Sequence, residues 1–236
     1  MGIVYNTSIV RDQLHVLLDF ANIKSYPGTG LTVNNLSQLG NFAFNKATSV
    51  ANGVAIFDGL NPGNTMSSPS SLGIHGTESF SYQFLINPKS SSSIDSPGEA
   101  RVCEQLGWPN TFFILQILHN SGNPFYRFFG KALNSESDQI SVNTPAGAAI
   151  LNSWQLVTIV LDRATTNTAI LYINNTKYSA SVTSALGSVG NGNPLRIPSS
   201  YAEAEVDISC VLGYRKALSD AEVAQNFEAL RGRFGL

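Results

Sequence analysis

Short runs of aromatic and β-branched residues, broken repeatedly by Ser, Gly, Asn and Pro, set the strongest limit on what this chain can fold into. They are "HVLLDF" from His15, "VAIFDG" from Val54, "SFSYQFLIN" from Ser79, "TFFILQILHN" from Thr111 and "FYRFFGKAL" from Phe125. "WQLVTIVLD" from Trp154, "TAILYI" from Thr168, "TKYSASV" from Thr176 and "AEVDISCVLGY" from Ala204 follow. Each has the length of a strand and falls short of a membrane span. Many strands without crossover helices predict a sandwich or barrel.

Alternation adds the faces. Phe80, Tyr82, Phe84 and Ile86 fall on one side of their run, with Ser79, Ser81, Gln83 and Asn87 on the other. Val206, Ile208, Cys210 and Leu212 likewise oppose Glu205, Asp207 and Ser209. The runs from Thr111 and Trp154 are apolar on both faces, as for central strands covered above and below. "INNTK" predicts a two-residue hairpin of type I′, because Asn tolerates positive φ.

One amphipathic helix closes the chain. Ser219 and Glu222 fit a capping box, Asp220 and Glu222 sit at the positive end of the helix dipole, and Val223, Phe227 and Leu230 recur on one face. Gly232 offers a stop.

With 236 residues and no linker-like shift in composition, a single domain over 1–236 is expected. The 16 acidic and 14 basic residues leave a net charge of -2, which argues against nucleic acid and anionic membranes as partners. Charged residues are 13% of the chain, so Ser, Thr, Asn and Gln must supply much of the polar surface. The opening "MGIVYNTSIVRDQ" lacks the pattern of a secretory leader, and a soluble protein without classical secretion is expected. Cys103 and Cys210 read as core thiols.

"LLDFANIKSYPGTG", "IFDG", "FSYQFLI", "WQLVTIVLDRATTNTAILYINN" and the closing "ALSDAEVAQNFEALRGRFGL" together resemble the laminin-G-like branch of the concanavalin A-like lectin/glucanase superfamily, in the form carried by bacteriophage structural proteins. The resemblance implies an all-β fold: a jelly-roll β-sandwich of two antiparallel sheets, with a short C-terminal α-helix covering part of a sheet edge. It also implies a virion protein, made in the host cytoplasm and carried in multiple copies on the particle exterior. Its partners would be other virion proteins, as capsid decoration or as part of a tail or fibre. The alternative is a carbohydrate-binding module that attaches to host surface polysaccharide, and a glycan hydrolase is the third reading.

The chemistry in the sequence argues against an enzyme. Glucanases of this superfamily carry Glu-x-Asp-x-x-Glu on a strand; here Glu205 and Asp207 are followed by Cys210, so the second glutamate is missing. After Asp58 come Leu60, Asn61 and Pro62 rather than carboxylates, so neither a metal nor a cofactor is expected. His15, His75 and His119 are scattered over different elements. Trp108, Asn110, Asn123, Phe125, Tyr126 and Arg127 mix aromatic and polar groups as sugar-binding surfaces do, and they are the candidate ligand-binding residues.

Overall fold

The computed structural model describes residues 8–60, 64–90, 98–107, 111–120, 122–131, 139–182 and 187–236. All nine runs read from the sequence form strands, and they join two large antiparallel sheets.

In the first sheet, Thr176–Ser181, Thr168–Ile173, Gln155–Asp162, Phe80–Pro88 and Glu205–Tyr214 lie side by side. The far edge of Glu205–Tyr214 is shared by two strands. Val54–Asp58 pairs with its first half and Leu14–Asp19 with its second. The second sheet runs Gln139–Asn143, Asn123–Lys131, Thr111–Asn120, Glu99–Gly107, and then the short strands Arg196–Ile197, Met66–Ser67, Phe42–Phe44 and Thr32–Val33. Antiparallel sheets face to face interdigitate side chains from their inner faces. The inner faces here contribute Phe80, Tyr82, Phe84 and Ile86 from one side and Phe113, Leu115, Tyr126 and Phe128 from the other. Phe80 and Phe113 meet with ring centroids 4.8 Å apart.

Two expectations about faces need correction. The outward side of Phe80–Pro88 is not solvated: the strand is buried throughout, because a second hydrophobic layer covers the outer face of the first sheet. In Glu205–Tyr214, a bulge between Ile208 and Cys210 reverses the alternation. Val206 and Ile208 point inward with Val211, whereas Cys210 and Leu212 join the outer layer. The hairpin at Asn174 and Asn175 has two residues, but only Asn174 has positive φ, at 55°, so it departs from type I′.

The second layer is the terminal helix, Asp220–Leu230, and it lies on a sheet face rather than at the edge expected of it. Ser219 accepts from the Glu222 N–H while the Glu222 carboxylate accepts from the Ser219 N–H, completing the capping box. Val223, Phe227 and Leu230 pack on Leu85, Leu156, Val160, Ile170 and Leu212. A face is covered because these outward residues are apolar and would otherwise remain wet. The chain end completes the cover: Phe234 stacks on Trp154 at 3.8 Å between centroids, and Arg233 forks onto the Asp19 carboxylate at 2.8 and 2.6 Å. Both cysteines are free and buried, Cys103 between the sheets and Cys210 beneath the helix.

Candidate functional site

Among the described residues, no helix covers the outer face of the second sheet. Side chains on its strands alternate between core and exterior, so Phe113 and Leu115 face inward while Phe112, Ile114 and Gln116 face outward. On Asn123–Lys131, Tyr126 and Phe128 are buried in the core and Arg127 and Phe129 are outward. The strand register sets these outward residues in rows. Arg101, Gln116 and Arg127 are cross-strand neighbours in one row, and Ile114 and Phe129 pair in the next.

These rows line a groove of about 580 Å³, completed by Glu99, Leu106, Phe112 and Tyr201. That volume lies within the range of small-ligand clefts. Phe112 and Phe129 form its aromatic floor, with centroids 5.4 Å apart. Tyr201 stands on the rim, 57% exposed, with the Arg101 guanidinium 5.2 Å from its ring centroid.

A buried ion cluster holds Tyr201 in place. Glu104, fully buried, accepts hydrogen bonds from the Ser199 hydroxyl, the Ser200 N–H at 3.1 Å and Arg101 Nη1 at 3.4 Å. Arg196 is 3.8 Å away. The backbone seals the same contact, since the Arg101 N–H donates to the Ala202 carbonyl at 2.6 Å and the Ser199 N–H donates to the Arg101 carbonyl at 3.2 Å. A buried carboxylate is tolerated only with such partners, so Glu104 ties the 198–202 segment to the strand beneath it.

The two groove arginines differ. Arg101 is committed: its Nε donates to Glu99 at 2.5 Å and its Nη1 to Glu104. The Arg127 guanidinium carbon lies over Phe129, 4.0 Å from the ring centroid, and its Nε is buried without a hydrogen-bond partner among the described residues. Burial lowers the Arg127 pKa from its ordinary value, and the field of Glu99 opposes that shift. The guanidinium stays charged, because its intrinsic pKa is far above neutrality.

Of the residues singled out from the sequence, Arg127 lines this groove. Phe125 is half-buried on the same strand, across from Leu118, and Asn123 is exposed at the strand's start. Tyr126 must be removed from the candidates. Its ring is in the core and its hydroxyl donates to Gln155 Oε1 at 3.0 Å, so it has no free face for a ligand. Trp108 and Asn110 lie outside the described residues. Sequence reading missed Glu99, Arg101, Leu106, Phe112, Ile114, Gln116, Phe129 and Tyr201. Alternation within "TFFILQILHN" and "FYRFF" contained the signal for Phe112, Ile114, Gln116 and Phe129, whereas Tyr201 sits in an irregular segment with no such signal.

Glu205 and Asp207, the partial glucanase pattern, are on the first sheet and away from the groove, with Asp207 paired to Lys89 at 2.9 Å. Among the described residues, no group of three or more His, Cys, Asp or Glu side chains is placed to hold a metal ion.

Comparison with known structures identifies the sandwich. The binding domain of botulinum neurotoxin DC, solved in complex with SialylT, superposes with a TM-score of 0.66 at 15% identity, over 93% of this chain and 52% of that one. The binding domain of Paraclostridial mosquitocidal protein 1 gives 0.57 at 18%, over 91% and 52%. A Trypanosoma rangeli sialidase in complex with sialic acid gives 0.65 at 12%, over 94% and 34%. The chain thus spans about half the length of the toxin domains it matches. No curated protein matches the sequence. A family model does match, over residues 60–224, and with that match the chain belongs to the concanavalin A-like lectin/glucanases superfamily.

Proposed function

We propose that this lectin-like sandwich is a non-enzymatic glycan-binding domain whose sugar lies in the groove over Phe112 and Phe129, against Tyr201. The observation that carries the reading is the polar row Arg101, Gln116 and Arg127 set beside an aromatic floor. Sugar rings present C–H faces that pack on aromatic rings and hydroxyls that pair with planar polar groups, and this surface offers both. Similar folds solved with SialylT and with sialic acid support a sugar ligand by likeness of fold. The lining supports binding without hydrolysis: its one carboxylate among the described residues, Glu99, is tied to Arg101, whereas glycoside cleavage needs two carboxyl groups flanking the bond.

The test is retention on a panel of immobilised oligosaccharides. The wild-type chain should bind at least one of them, and Tyr201→Ala or Phe129→Ala should weaken that binding at least about tenfold, the scale of a lost stacking contact. Failure to bind any glycan, or binding indifferent to both substitutions, overturns the reading.

For its setting we infer the exterior of a bacteriophage particle, in multiple copies beside capsid or tail subunits. The support is the resemblance of the sequence to phage structural proteins. Mass spectrometry of purified particles should find the chain, and its absence there would remove this setting while leaving the glycan reading intact.

A further inference from the structure

We propose that the groove selects an acidic sugar, and that Arg127 is the residue that receives its carboxylate. The inference rests on the glycan-binding reading and narrows it to a ligand class.

The argument begins with what each charged group in the groove already does. Arg101 is matched by Glu99 at 2.5 Å and by Glu104 at 3.4 Å, and Glu104 is also near Arg196. Arg127 has no such match among the described residues. Glu99 reaches it only as a field, since that carboxylate is bound to Arg101 Nε. The Arg127 Nε is buried with its hydrogen unused among the described residues. A buried donor left unpaired is costly, so an acceptor that reached it from the groove would relieve that cost.

Geometry then restricts the acceptor. The guanidinium carbon sits 4.0 Å from the Phe129 ring centroid, and the N–H groups of a guanidinium point outward in its own plane. Gln116 is its cross-strand neighbour in the same row. A carboxylate is planar and takes two parallel N–H donors from such a fork, whereas a hydroxyl takes one. A cation held against a ring in a partly dry groove favours an anion more than it does at an open surface. The groove volume of about 580 Å³ accommodates one or two sugar units, so a carboxylated monosaccharide at Arg127 would leave the neighbouring ring on Phe112 or Tyr201.

Two sources of such a carboxylate are uronic acids and sialic acids, and matched pairs separate them from neutral sugars. Binding should be measured by calorimetry for tetragalacturonate against its methyl ester, for sialyllactose against lactose, and for neutral gluco- and manno-oligosaccharides. The expected result is at least tenfold preference for the acid in one pair, which also identifies the source. R127Q should bring that ratio near one without lowering the thermal midpoint, and R127K, which keeps the charge but lacks the fork, should give an intermediate ratio. If R127Q does not fold, R127K alone decides. Equal binding within both pairs, or a preference unchanged in the arginine variants, overturns the acidic-sugar inference while the glycan reading stands. No binding to any member overturns both.

Discussion

Asn226, on the terminal helix, donates from Nδ2 to Oε1 of Gln83 at 2.5 Å, and so joins the helix to the centre of a sheet through a buried polar contact. Both side chains are fully buried. The contact belongs to a network: Gln83 Nε2 donates to the Thr158 hydroxyl at 2.9 Å, and Asn226 Oδ1 accepts from the Val10 N–H at 2.7 Å. The Tyr214 hydroxyl accepts from Asn226 and donates to the Val10 carbonyl at 3.1 Å. An apolar layer would allow the helix to slide; a satisfied polar network of this kind sets its register.

Asn226→Leu should therefore cost more than its gain in apolar surface. It strands Gln83 Oε1 and the Val10 N–H in a dry layer, at about 1 to 3 kcal/mol each. Denaturant unfolding of the variant should show a loss of about 3 kcal/mol with an unchanged slope. A variant as stable as the wild type would mean that water replaces the amide.

Phe227→Ala tests the apolar part of the same layer. Phe227 is 9% exposed among Leu85, Val160 and Leu212. A large-to-small change there should cost about 3 kcal/mol. An unaltered thermal midpoint would mean that the helix is not docked on the sheet.

Acid should destabilise the fold in two stages. His15 is 1% exposed, and burial, with Arg215 nearby, lowers its pKa to about 4. Between pH 6.5 and about 4 the unfolded chain binds a proton at this position that the folded chain refuses, so stability falls as pH falls across that window, by on the order of 3 kcal/mol. Below it, Asp220 contributes: hydrogen bonds from Lys177 and Tyr172 hold its carboxyl under the usual range, so its stabilisation is lost as pH falls below about 4. Urea unfolding from pH 7 to 3 should show both stages, and His15→Gln should flatten the first while leaving the second.

Neither cysteine should react in the native state. Burial pushes both thiols up, Cys210 to about 12 and Cys103 further, and a thiol reagent needs the thiolate. A chromogenic disulfide reagent should find no thiol in buffer and two in denaturant. Rapid labelling of Cys210 alone in buffer would show that the helix lifts from the sheet.

Local patterning determined a great deal here. The strands, the capping box at Ser219 and the apolar stripe of Val223, Phe227 and Leu230 follow from interactions within a few residues, which sequence displays directly, whereas strand patterning alone left sandwich and barrel open and the two sheets came from the family resemblance. Cys103 and Cys210 were also legible as core thiols, because two cysteines build neither a disulfide framework nor a zinc site and a free thiol buries as a small apolar group. Tertiary structure decided which side of each strand was wet. Polar Ser81 and Gln83 look solvated in sequence, yet a segment 130 residues and more downstream satisfies them, Ser81 through the backbone of Lys216 and Leu218 before the helix and Gln83 through Asn226 on it. One bulge after Ile208 moved Cys210 to the opposite face, a change that period-two reading cannot see. The candidate site was legible only at Arg127. Its other parts, from Glu99 on one strand to Phe112 on the next and Tyr201 in a loop, become neighbours through strand register and the Glu104 cluster, and register is a relation between segments that no single segment contains.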